Sequence, residues 1–186
     1  MNMMKKLVTA LGATAAILLL GAAPAHAEES PTAGHGSAAA LLGYGFKDGV
    51  GVGLGVRAGY TLPMNVYLGG TFVYHLGKSE NDGFGDVSTK LYYFGVEGGY
   101  DIPAGPVVVR PYLGLGAATA KVSVPDINVG GFSSAGLSTS DTKFALWPGA
   151  TVLYPIGPAF VGGDARFLIV DQFNAFSVFA TGGIQF

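Results

Sequence analysis

From about residue 38 onward the chain alternates bulky apolar residues with small or polar ones at a period of two, the pattern of strands with two unlike faces. In VGVGLGVRAGYT, residues 50–61, Val50, Val52, Leu54, Val56, Ala58 and Tyr60 share one face. Gly51, Gly53, Gly55, Arg57, Gly59 and Thr61 share the other. In LYYFGVEGGYDI, residues 91–102, Tyr92, Phe94, Val96, Tyr100 and Ile102 oppose Tyr93, Gly95, Glu97, Gly99 and Asp101. In AFVGGDARFLIV, residues 159–170, Val161, Ala165, Phe167 and Ile169 oppose Gly162, Asp164 and Arg166. The charges fall on the small face. A soluble sheet would bury its bulk and expose its charges. In a closed barrel of eight strands the interior is only wide enough for side chains to fill it. A small, sparsely charged face then suits the interior, and the bulky apolar face suits lipid. This parity also requires Tyr112 and Trp147 to point inward.

The pattern predicts eight strands, near 38–46, 50–62, 66–77, 89–102, 107–122, 143–156, 159–170 and 176–186. The connectors differ in kind. PMN at 63–65, PAGP at 103–106 and IGP at 156–158 are tight Pro/Gly turns. KSENDGFGDVS at 78–88 and the Ser/Gly-rich stretch 125–142 are long and polar, and those around 47–49 and 171–175 are short and polar. Transmembrane barrels have short periplasmic turns and longer extracellular loops. With a periplasmic N-terminus, all three Pro/Gly turns fall on the periplasmic side. The fold class expected is all-β: an eight-stranded, up-and-down antiparallel transmembrane barrel over 38–186.

The start of the chain is of another kind. Lys5 and Lys6 precede an apolar run, Leu7 to Leu20, and Ala25-His26-Ala27 has the small-x-small form of a cleavage site. Residues 1–27 therefore read as a secretory signal peptide cut between Ala27 and Glu28. The apolar run is short of the roughly 20 residues that a membrane anchor helix needs. Residues 28–37, EESPTAGHGS, are polar and rich in Gly and Pro, and read as a flexible leader.

Composition supports export to a membrane. The mean hydropathy is +0.44 although no mature segment is a continuous apolar span. Gly is abundant, at 31 residues, and Cys is absent, which excludes disulfides and thiolate metal sites. Removal of 27 of the 186 residues leaves 159, with 8 Lys and Arg against 12 Asp and Glu, a net charge of −4. Such a chain has no electrostatic footprint for nucleic acid. In lipid every backbone polar group must be satisfied internally, which a closed barrel achieves.

The charges on the small face form the clearest constellation. Arg57 and Glu97 each lie six residues before the Pro of their turn, Pro63 and Pro103. Arg110 lies four residues after Pro106, and Asp164 and Arg166 lie six and eight after Pro158. All five are expected in the periplasmic half of the interior, where buried charges need partners. A salt-bridge plug is the favoured reading over transport or catalysis. His75 is expected to point inward near the extracellular end of the third strand, with no nucleophile and carboxylate beside it, so no catalytic residue is assigned. GLGVRA at 53–58 matches a loose dinucleotide pattern but lies inside a strand and lacks the helix that the pattern requires. Glu80, Asp82 and Asp86 lack EF-hand spacing, so neither a metal nor any other cofactor is expected. Ile127, Val129, Phe132 and Leu137 are unusual for a spacer; they could extend strands above the membrane or touch an extracellular partner.

GYTLP, GYDIP and LYPIGP each put a Tyr, at 60, 100 and 154, just before a tight turn on the bulky face. Together with RPYLGLGAA at 110–118, VGGDARF at 161–167 and the final Phe186, these motifs resemble the small bacterial outer-membrane β-barrel domain. That is the broad group around the OmpA N-terminal domain, OmpX and the opacity proteins. The resemblance implies an outer-membrane location with lipids as surroundings, and insertion by the outer-membrane assembly machinery. It also implies that the outward residues of the last strand, Val178, Ala180, Gly182, Ile184 and Phe186, carry the assembly signal; with the sequence ending at Phe186, no OmpA-type peptidoglycan-binding module is expected. Tyr60, Tyr100, Tyr154 and Phe186 would form the periplasmic aromatic girdle. The function expected is structural or surface-interacting, carried by loops 78–88 and 125–142. The alternatives are a narrow channel for small solutes, an outer-leaflet lipid-modifying enzyme and, more remotely, a soluble exported barrel.

Overall fold

Strands account for most of the chain in the computed structural model, which describes residues 30–47, 50–77, 79–81, 86–123, 127–129, 132–134, 138–171 and 173–186. Eight long strands form the barrel wall: β1 (His35–Gly45), β2 (Gly51–Thr61), β3 (Val66–His75), β5 (Asp86–Tyr100), β7 (Val107–Ser123), β10 (Ser138–Ile156), β11 (Ala159–Val170) and β12 (Phe173–Gln185). Four short ones accompany them. β4 (Ser79–Asn81) pairs with the start of β5, β6 (Ile102–Ala104) pairs with β7 beside the turn, and β8 (Ile127–Val129) pairs with β9 (Phe132–Ser134). Residues 1–27, expected to be a signal peptide, and the expected cleavage bond between Ala27 and Glu28 lie outside the described residues.

Each long strand pairs antiparallel with its sequence neighbour. β1 also pairs with β12, from Ser37↔Gln185 to Gly45↔Ser177, which closes the sheet on itself. The fold is thus the closed eight-stranded antiparallel barrel that the alternation predicts. Closure removes the free edges that an open sheet would expose.

The tight turns cluster at one end and follow from their residues. Gly105-Pro106 and Gly157-Pro158 are two-residue hairpin connections. Gly105 and Gly157 have φ of +65° and +61°, which a two-residue turn of the primed kind requires at its first central position. Pro, with φ held near −65°, fits the second. In the 62–65 turn Asn65 takes the left-handed position, with φ 65°, and its N–H donates to the Leu62 carbonyl at 2.9 Å.

Two expectations need correction. Val50, expected on the lipid face, is buried against the interior. Gly51 has φ +61° and breaks the alternation just after it. The leader also joins the fold earlier than expected. β1 begins at His35, not 38, and residues 30–34 turn across the mouth at the end that carries the tight turns. Ser30, Thr32 and Ala33 are buried, and the Gly34 N–H donates to the Thr61 carbonyl at 2.8 Å. The wall is taller on its outer side too, since β5 starts at Asp86 and β10 at Ser138.

The interior is filled, and by more bulk than the Gly-rich face suggests. Leu41, Val73, Leu91, Tyr93, Tyr112, Trp147, Leu168 and Phe179 form one buried cluster. Phe179 fits because Gly43 and Gly53 face it; a Cβ at Gly43 would stand 2.6 Å from its ring. Tyr112 and Trp147 point inward, as the parity requires.

Candidate functional site: the ionic layer inside the barrel

Alternation carries Arg57, Glu97, Asp164 and Arg166 inward from β2, β5 and β11, and the barrel brings all four together. Arg57 Nε lies 2.7 Å from Glu97 Oε2, and Arg57 Nη2 lies 2.9 Å from Asp164 Oδ2. Arg166 Nε lies 2.7 Å from Asp164 Oδ1, and Arg166 Nη1 lies 3.6 Å from Glu97 Oε1. Two arginines and two carboxylates thus alternate in a ring of ion pairs.

Neutral donors also reach the carboxylates. The Trp147 indole N–H donates to Glu97 Oε1 at 2.9 Å. The Tyr112 hydroxyl donates to Asp164 at 2.9 Å and the Thr151 hydroxyl at 2.6 Å. Buried charges are tolerated when they are paired and their remaining lone pairs are satisfied. The Tyr112 ring lies 4.7 Å from the Arg57 guanidinium carbon, adding a cation–π contact of the kind favoured by Arg. Gly114 makes room for the indole: a Cβ there would meet Trp147 Nε1 at 1.9 Å.

Arg110 does not join this ring, contrary to expectation. Its Nε lies 2.5 Å from Asp101 Oδ1 and its Nη2 lies 2.8 Å from Asp101 Oδ2, a two-pronged pair near the mouth at the tight-turn end. Its guanidinium carbon lies 3.8 Å from the centre of the Tyr67 ring. The Thr32 hydroxyl donates to Asp101 Oδ2, and the Ser30 N–H donates to Asn65 Oδ1 at 3.0 Å. Asp101 is the charged residue that sequence reasoning left out of the cluster, although its inward parity was legible. With it, three arginines face three carboxylates inside the barrel.

The other expected residues are placed as follows. Tyr60, Tyr154 and Phe186 are exposed on the outward face at the end that carries the tight turns, with Tyr100 half-buried there. Phe186 is 75 % exposed, and its backbone pairs with Gly36 through two hydrogen bonds of 2.8 and 2.9 Å. Val178, Ala180, Ile184 and Phe186 are exposed and Gly182 is half-buried along the same side. His75 is buried, its ring centroid 6.1 Å from that of Tyr93, with Nδ1 3.4 Å from the Gly51 carbonyl oxygen. Among the described residues no group of three His, Asp or Glu is arranged to hold a metal. The side chains of 79–89 and 127–134 lie outside the described residues, so the loop acids and Ile127, Val129, Phe132 and Leu137 are not placed.

The outer membrane protein beta-barrel domain family matches residues 13–185. The chain belongs to that family. Membership places it among outer-membrane β-barrels. Solved structures agree on the fold. The attachment invasion locus protein Ail of Yersinia pestis is 18% identical, with a TM-score of 0.54, covering 82% of this chain and 97% of Ail. A major outer membrane protein of Thermus thermophilus reaches a TM-score of 0.60 at 13% identity, covering 82% of this chain and 98% of its own. The N-terminal barrel of Pseudomonas aeruginosa OprF reaches 0.51 at 16% identity, covering 82% and 97%. No curated protein matches the chain at a significant level. At these identities the shared property is the barrel, and residue roles must come from this chain's own geometry.

Proposed function

We propose that the protein is an integral outer-membrane barrel with a closed, rigid interior. Its role is structural or surface-interacting, without catalysis, and is carried by the extracellular loops 78–88 and 125–142. One observation carries the reading. Arg57 on β2 donates to the Thr151 hydroxyl on β10 at 2.9 Å, and these two strands stand opposite each other around the barrel. The ionic layer therefore spans the full diameter. Above it lie the rings of Tyr93, Trp147 and Phe179, and below it the Arg110–Asp101 pair and the turn at 30–34. A barrel so filled leaves interaction to its outer loops. Ail of Y. pestis has been solved with the heparin analogue sucrose octasulfate, which lends support to partner binding on a barrel of this kind.

The same reading assigns residues 1–27 as a signal cleaved before Glu28, and the outward residues of β12 ending at Phe186 as the signal for the assembly machinery. Tyr60, Tyr100, Tyr154 and Phe186 anchor the barrel at the periplasmic headgroups. Planar-bilayer recording on the purified protein tests the closed interior. No steady single-channel openings are expected, and reproducible openings would overturn the plug.

A further inference from the structure

At the outer edge of the barrel, two lysines have no ion-pair partner among the described residues. Lys90 on β5 and Lys121 on β7 are direct cross-strand partners. Along β5 the outward residues are Tyr92, Phe94 and Val96, alternating with buried Tyr93 and Glu97, so Lys90 continues the outward row. Residues directly opposite in an antiparallel pair share a face, which puts Lys121 outward as well. Ser140 on β10 is opposite Lys121 in turn, and all three side chains are exposed. The row below holds Tyr92, Thr119 and Thr142, with the two threonine hydroxyls 2.8 Å apart.

Like charges directly opposite each other destabilise an antiparallel pair, with Cβ atoms only about 5 Å apart. Two other lysines among the described residues have partners: Lys143 lies 3.2 Å from Asp171 and 3.7 Å from Asp141, and Lys47 lies 4.6 Å from the centre of the Phe173 ring. Among the described residues, neither Lys90 nor Lys121 has a hydrogen bond or ion pair. Their height is informative. Lys90 lies ten residues above Tyr100. At about 3.3 Å per residue and a tilt of about 40° the rise is roughly 25 Å, the height of the apolar band of such barrels. The pair therefore sits where acyl chains end and headgroups begin.

We propose that Lys90 and Lys121, with the Ser140 hydroxyl beside them, form a site for a phosphate group, supplied by the phosphorylated headgroup of an outer-leaflet lipid. A phosphate between the two ammoniums turns their repulsion into two charge-assisted hydrogen bonds, and Ser140 donates a third. The outward orientation selects a lipid over free phosphate. Its acyl chains run down the same face, over the exposed Phe94 and Val96. The site rests on the outer-membrane placement and not on whether the interior is closed.

The test uses the full folded chain in phosphatidylcholine nanodiscs, with lysines carrying 13C-dimethyl labels and resonances assigned through Lys90→Arg and Lys121→Arg. Adding a minor fraction of diphosphorylated lipid A is expected to shift Lys90 and Lys121 and to leave Lys47 and Lys143 in place. Inorganic phosphate at the same total concentration is expected to move none of them. If inorganic phosphate moves the pair equally far, the lipid source is overturned. If neither lysine moves, or if all rim lysines move together, the site itself is overturned.

Discussion

Glu97 is 2 % exposed, and it stays paired because donors from three strands reach it: Arg57, Trp147 and Arg166. Removing it leaves Arg57 and Arg166 to share Asp164, and strands the indole N–H. Breaking a buried ion pair by deleting one partner costs about 3 kcal/mol or more. Glu97→Ala is therefore expected to lower stability by about that amount in urea unfolding from lipid vesicles; an unchanged midpoint would show that the ring does not stabilise the barrel. At this scale the sequence was informative about direction. Period-two alternation assigned the inward direction of Arg57, Glu97, Asp101, Asp164 and Arg166. It was silent about pairing. Counting residues from a turn gives depth along one strand, whereas strand tilt and stagger decide which depths meet. Glu97 and Arg110 looked like neighbours by counting, but Asp101 sits on the same hairpin as Arg110 and takes both prongs of its guanidinium.

The turn at 30–34 is the element that sequence patterning misjudged most. Its residues are polar and lack a period of two, which is why they read as a flexible leader. Their order comes from acceptors far away in sequence, Asn65 and Asp101, which no local pattern reveals. Thr32→Ala removes the hydroxyl donated to Asp101 and is expected to cost about 1 kcal/mol. It should also speed proteolytic trimming of the N-terminal residues in proteoliposomes, and trimming at the wild-type rate would argue that the turn is held by its backbone alone. The tight turns behave oppositely. Gly105-Pro106 and Gly157-Pro158 were legible because each residue has one conformational role, fixed before any tertiary contact. β12 is intermediate: its outward row ending in Phe186 was readable, but its pairing with β1 could only be inferred from the need to close.

For the molecule as a whole, the single Trp is a reporter of orientation. Trp147 is buried in the interior at 0 % exposure. Its fluorescence is expected to resist quenching by bromines placed along the acyl chains of the surrounding lipid. Strong quenching would mean that β10 is turned the other way, and a one-residue slip would reverse every face assignment. Strand number and the end that carries the turns were determined by the sequence, because alternation and turn chemistry are local properties. The tertiary structure alone decided how the inward side chains pack and pair across the lumen. Tyr67, Tyr112, Trp147 and Phe179 occupy space vacated by glycines on other strands, and the five Arg–carboxylate pairings were sorted by stagger. Both outcomes depend on distances across the barrel, between strands that are far apart in the chain, and those distances exist only once the sheet has closed.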